Sequence, residues 1–170
     1  MKTNRRTRYL AEASLIAALY LLFTLVTWGF ANGAVQLRLS EALAVLPYFT
    51  SAAIPGLTVG CLLANLIGGC APWDIVFGTL ATLIGAALAR LLRKRALLVP
   101  IPNILSNTLI IPFVLRYVYG APDVLPFLFL SIGLSEVLSS GVLGIALLYF
   151  LRPYASRIFS NQTNAKEQEK

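Results

Sequence analysis

The chain has 170 residues, 58% of them hydrophobic and 12% charged, with a net charge of +7. A soluble domain carries about 25% charged residues, and a chain of this length has too little interior to hide so much apolar surface from water. Lipid is the solvent that accepts it. The basic residues sit between long apolar runs and are not interleaved with aromatics, which argues against nucleic acid as a partner.

The N-terminal MKTNRRTRYL leads into an apolar run over 9–28. That run is too long for the hydrophobic region of a signal peptide, so it reads as a retained first span. Ala13 and Ala17 stand four residues apart with Ser14 and Ala18 beside them, a small-residue face at the cytoplasmic end of a terminal helix, where a partner helix can dock. Glu12 reads as a first-turn partner of Arg8 and the helix dipole, and Trp28 as an interfacial anchor. The connection VQLRLSEAL carries Gln36, Arg38, Ser40 and Glu41. Ser40 is placed to cap the next segment and Arg38 to pair with Glu41. Four hydrogen-bonding side chains in six residues exceed what a cap needs, and they are able to close over an outward-facing pocket.

The segment 39–50 is apolar but short for a span. The next, 54–70, carries Gly56, Gly60, Ala64 and Gly68 at four-residue spacing, a stripe that suits internal helix contacts. Cys61 and Cys70 lie in or beside it and read as small hydrophobes; two cysteines and no histidine give neither a disulfide framework nor a zinc site. Segment 73–90 opens on Asp74 after Pro72 and Trp73, where a carboxylate suits the helix dipole. Segment 97–118 holds Asn107 near its middle and Asn103 nearer the cytoplasm, where an amide reads as interhelical hydrogen-bond glue. Segment 125–151 holds Glu136 among small residues. The chain thus reads as a transmembrane domain over 1–157 and a polar, disordered tail over 158–170.

Charge placement decides the number of spans. Lys2, Arg5, Arg6 and Arg8 precede the first segment; Arg90, Arg93, Lys94 and Arg95 form a middle cluster; Arg152, Arg157, Lys166 and Lys170 follow the last. The positive-inside rule puts all three clusters in the cytoplasm only if an even number of crossings separates each pair. Counting the short segment gives six crossings, both termini inside, and leaves only Arg38 and Arg116 outside. The short segment is therefore expected to cross, helped by a thin or protein-lined environment.

Polar groups inside spans are expensive, so they are functional candidates. Glu41 and Asp74 fall at the outer face of the six-span topology, and Asn107 and Glu136 reach inward from it. A carboxylate accepts two parallel N–H bonds, so such a pocket suits a small planar, amino-bearing ligand, of which a guanine-type base is one example. A second carboxylate is able to hold an ammonium group. No phosphate-binding G-x-x-x-x-G-K-[ST], HExxH or GxSxG is present. The chain reads as no enzyme, without metal or cofactor, and transport driven by it needs an ion gradient or another chain. A scaffold protein and a stand-alone ion-coupled carrier are the alternatives.

The runs VQLRLSEALAVLPYFTSAAIPGLTVGCLLANLIGG and WDIVFGTLATLIGA resemble the QueT family, whose members are substrate-binding S-components of energy-coupling-factor transporters assigned to queuosine precursors. The resemblance covers about residues 9–151. It implies an all-α bundle of six membrane helices in the cell membrane. It also implies a 7-deazaguanine ligand, such as the 7-aminomethyl form or queuine, and as partners a transmembrane coupling protein and two cytoplasmic ATPases. Ligand contacts are implied at Arg38, Glu41, Asp74, Asn107 and Glu136, and coupling-protein contacts at Ala13 and Ala17.

Overall fold

The computed structural model describes residues 5–27 and 38–159. Lys2, Trp28, Gln36, Lys166, Lys170 and the tail beyond 159 lie outside the described residues. Among the described residues the regular structure is all helical: α1 (Arg5–Val26), a short helix (Leu39–Tyr48), α2 (Ala53–Ile67), α3 (Pro72–Leu91), α4 (Ile101–Tyr117) and α5 (Leu125–Glu136). The last continues through a π-helical stretch (Val137–Leu143) into α6 (Gly144–Leu151). Four stretches are long and apolar enough to cross a membrane: Arg5–Val26, Pro72–Leu91, Ala96–Tyr117 and Leu125–Ile158. The short helix and α2 are apolar but have only 10 and 15 residues.

Local chemistry sets the helix limits. Pro72 occupies the start of α3, Asp74 lies in its first turn and Arg90 in its last, each where an unpaired helix end favours it. α1 begins four residues before the apolar run, because Arg5, Arg6 and Arg8 are themselves good helix formers. Glu12 consequently sits beyond the first turn, and its carboxylate accepts a hydrogen bond from Thr50 Oγ1 at 2.8 Å.

Around an apolar core that includes Leu43, Val45, Phe49, Leu57 and Leu148, burial departs from that of a soluble protein. Leu22, Val26, Leu91, Leu130 and Phe150 are exposed, while Glu41, Asn65, Asp74, Asn103, Asn107 and Glu136 are buried. Exposed apolar surface on this scale belongs against lipid or a partner, and the polar groups turn inward, as intramembrane polar groups do.

The short helix runs through the protein interior: Ser40 through Pro47 are all buried, and it packs against α1, α3 and α6. Its tighter 3-10 winding extends about 2.0 Å per residue against 1.5 Å in an α-helix, so ten residues cover about 20 Å. Its C-terminal end is gripped from two sides. Arg90 Nη1 donates to the Pro47 and Tyr48 carbonyls at 2.8 and 3.3 Å, and Phe49 stacks on Phe159 at 5.0 Å. The Thr50–Glu12 bond ties the same end to α1. The start of α1, the end of α3 and the end of the last helix therefore meet, so Arg5–Arg8, Arg90–Arg95 and Arg152–Arg157 share one end of the bundle.

The small-residue stripe on α2 makes the contact with α1. A Cβ on Gly56 would stand 2.8 Å from the Ala13 carbonyl oxygen, and one on Gly60 would stand 2.7 Å from Tyr20 Cβ and 2.9 Å from the Ala17 carbonyl oxygen. Ala17 is thereby buried and Ala13 half-buried, while Ser14 and Ala18 on the adjoining face are exposed.

Candidate ligand-binding site

Four helices, the last with its π-helical continuation, bring their polar side chains to one place. The short helix supplies Glu41, α1 Tyr20, α4 Asn103 and Asn107, and the end of α5 Glu136; Ser140 follows in the π-helical stretch. Asn103 and Asn107 are four residues apart and so share one face of α4. Glu41 is the centre of the group. Its Oε1 accepts from the Tyr20 hydroxyl at 2.6 Å, and its Oε2 from Asn103 Nδ2 at 2.9 Å and Asn107 Nδ2 at 3.5 Å. Asn103 Nδ2 also reaches Glu136 Oε2 at 3.3 Å and Ser140 Oγ at 3.4 Å.

Beside this cluster is a cavity of about 10 Å³ lined by Arg38, Asn107, Ile111, Ile132, Ser135 and Glu136, room for about one water. Arg38 Nε is shielded from solvent and has no hydrogen-bond partner. A buried donor without an acceptor is costly, so the cavity asks for an acceptor at Arg38. Glu136, an acceptor-only group when ionised, has lone pairs beyond the one facing Asn103 and asks for donors. A planar ligand with a carbonyl beside N–H groups answers both demands. A wider groove of about 380 Å³ between α3 and α4, lined by Phe77, Leu80, Leu109, Phe113 and other large apolar residues, has no carboxylate or amide with which to orient such a ligand.

Of the residues expected from the sequence, Arg38, Asn107 and Glu136 line the cavity, and Glu41 stands behind it, bonded to Asn107. Asp74 does not join them. Its Oδ2 accepts from the Tyr119 hydroxyl at 2.7 Å, and that hydroxyl in turn accepts from the Ala71 N–H at 3.0 Å. Gly69 and Gly120, both at positive φ, turn the two connections so that they meet there. Burial, reinforced by the bond to Asp74, holds the Tyr119 hydroxyl well above its ordinary pKa. Burial likewise raises that of the Cys70 thiol, with Asp74 adding to it. Asp74 thus fastens two connections instead of facing the cavity.

Two details of the 38–41 stretch differ from expectation. The helix starts at Leu39 with Arg38 at its cap position and no side-chain capping bond, so Ser40 falls inside the helix, its Oγ buried without a partner. Arg38 and Glu41 meet through their backbones, Glu41 N–H donating to the Arg38 carbonyl at 3.2 Å, while the Glu41 carboxylate turns to Tyr20 and Asn103.

Sequence reasoning read Asn103 as interhelical hydrogen-bond glue, which its bonds to two other helices match, but left it out of the site, and it passed over Tyr20. Asn103 carried the same signal as Asn107, an amide inside a span, and their four-residue spacing joins them. Tyr20 carried none, since a tyrosine in an apolar run is common at membrane helices.

A family profile described as QueT transporter matches residues 10–153. Among curated proteins, the queuosine precursor transporter QueT of Lactococcus lactis subsp. cremoris (strain MG1363) is 30% identical over 93 residues, 53% of this chain and 54% of that protein. The alignment thus spans about half the length of the relative. No solved structure matches.

Proposed function

The chain belongs to the QueT transporter family, and on that premise we propose that it is the substrate-binding component of an energy-coupling-factor importer for a queuosine precursor. The substrate is a 7-deazaguanine, such as the 7-aminomethyl form or queuine, captured from outside the cell. The observation that carries this reading is the cavity between Arg38 and Glu136, with a shielded, unpartnered Nε on one side and a carboxylate on the other. A guanine-type edge places its carbonyl on Arg38 and its ring N–H and exocyclic amine on Glu136, with Asn107 alongside. Glu41 supports this wall from behind, and Asp74 shapes the outer connection.

The helices cross the cell membrane six times with both termini in the cytoplasm. The gathering of the three basic clusters at one end of the bundle supports this orientation. The short helix crosses as one of the six, sheltered by its neighbours and lengthened by its winding. The coupling protein docks on the cytoplasmic half of α1, along the exposed Ser14 and Ala18 beside half-buried Ala13, while Ala17, expected with Ala13 at this contact, is buried against α2; ATP hydrolysis takes place on partner chains.

The test is calorimetry on the purified chain in detergent with 7-aminomethyl-7-deazaguanine, its 7-cyano counterpart and queuine. Binding of at least one, weakened by Glu136→Gln, is the expected result. No heat with any of the three overturns the substrate assignment. Uptake into vesicles without ATP or partner subunits overturns the importer assignment.

A further inference from the structure

Asn103 bridges the two buried acids of the cluster. From α4, its Nδ2 lies within bonding distance of Glu41 Oε2 on the short helix, Glu136 Oε2 on α5 and Ser140 Oγ in the π-helical stretch. An amide nitrogen has two hydrogens, so three acceptors share two bonds, and charge-assisted bonds to carboxylates are the stronger ones. The amide is also held from behind. A Cβ on Gly85 of α3 would stand 2.8 Å from Asn103 Oδ1 and 2.9 Å from its Cα, so α3 presses directly on the residue and limits its rotamers. Asn103 is 1% exposed and does not line the cavity, whereas Glu136, to which it donates, does.

We propose that Asn103 is the positioning residue of the ligand site: it engages one oxygen of Glu136, leaving the carboxylate turned so that its remaining lone pairs meet the donor edge of the ligand. Glu41, already engaged by Tyr20 and Asn103, anchors the amide without touching the ligand. The proposal rests on the deazaguanine reading above and divides the two buried acids by role. Without the Asn103 amide the two carboxylates lose the donor they share, Asn107 Nδ2 staying on Glu41 Oε2 at 3.5 Å, and Glu136 loses the orientation that reads an N–H edge.

The experiment compares two probes on the full chain in detergent: 7-aminomethyl-7-deazaguanine and its analogue lacking the 2-amino group. The wild-type chain prefers the amino-bearing probe by about ten- to hundredfold, the range for one hydrogen bond to a charged group. In Asn103→Leu this preference shrinks to within about threefold, which a merely structural defect, weakening both probes alike, does not produce. The isosteric pair Glu41→Gln and Glu136→Gln gives an independent reading should Asn103→Leu fail to fold: Glu136→Gln loses the preference and Glu41→Gln keeps it. A preference that survives Asn103→Leu, a Glu41→Gln chain that loses it, or a wild-type chain with none overturns the positioning role while the deazaguanine reading stands. A wild-type chain that binds neither probe removes that reading, and the positioning role with it.

Discussion

Tyr20 donates its hydroxyl hydrogen to Glu41 Oε1 across 2.6 Å, joining the first helix to the short helix at an acid that Asn103 and Asn107 also reach. Both partners are buried, so neither has water as a substitute. Tyr20→Phe leaves that oxygen without a donor and is expected to destabilise the chain by about 1–3 kcal/mol. A lower thermal midpoint in detergent checks this; an unchanged midpoint shows that another group reaches Glu41.

Arg38 behaves in the opposite way. Its Nε has no partner within the protein, so Arg38→Gln removes nothing from that nitrogen in the ligand-free fold. The thermal midpoint is expected to hold within a degree or two, while ligand affinity falls about ten- to hundredfold for the lost charge-assisted bond. Calorimetry and a melting curve on the same sample separate the two effects, and a large fall in the midpoint contradicts the ligand-facing role.

The α1 surface divides into an inner and an outer face, and substitutions on each have distinct outcomes. Gly60→Leu drives a side chain into Tyr20 and the Ala17 carbonyl; overpacking of this kind typically costs about 1–3 kcal/mol or more, read as loss of monodisperse protein. Ala18→Leu points away from the bundle, so it keeps the fold and reduces co-purification of the coupling protein. Full recovery of the complex from Ala18→Leu moves the docking face elsewhere.

The grip of Arg90 on the Pro47 and Tyr48 carbonyls predicts local loosening when it is removed. Arg90→Ala is expected to speed hydrogen exchange in the peptide covering the short helix while leaving α4 unchanged. Equal exchange in both proteins rules the grip out as a support.

Tyr119 makes a pH prediction with a definite sign. Its folded-state pKa lies above the ordinary value of 10.0, so the folded chain keeps a proton that the unfolded chain loses. The contribution of the Tyr119–Asp74 bond is therefore complete below about pH 10 and fades as the pH rises through the raised value. Thermal midpoints measured from pH 8 to 11 should fall more steeply in the wild-type chain than in Tyr119→Phe; parallel curves refute the linkage.

Much of this arrangement is legible in the sequence because lipid imposes strong rules. Apolar runs located α1, α3, α4 and the last helix to within a few residues. The short helix is different: ten residues are too few to register as a span, and only the even number of crossings asked for between the basic clusters at Arg8, Arg90 and Arg152 pointed to it. Arg38, Asn107 and Glu136 were legible because polar groups inside spans are rare. What stayed hidden depends on rotation about helix axes. Asp74 faces Tyr119 and not Glu41 because two glycine turns bring residues 71 and 119 together, a relation no local pattern carries. The π-helical winding of Val137–Leu143 had no signature beyond Ser139, Ser140 and Gly141.

A void of about 10 Å³ has a kinetic consequence. On the function proposed above, a bicyclic solute enters only when the walls part, so capture is slower than into a preformed pocket. The same motion must recur for escape, and the ligand's own bonds to Arg38 and Glu136 oppose it. In the importer proposed above, gated escape lets a loaded molecule wait in the bilayer until its coupling partner becomes free.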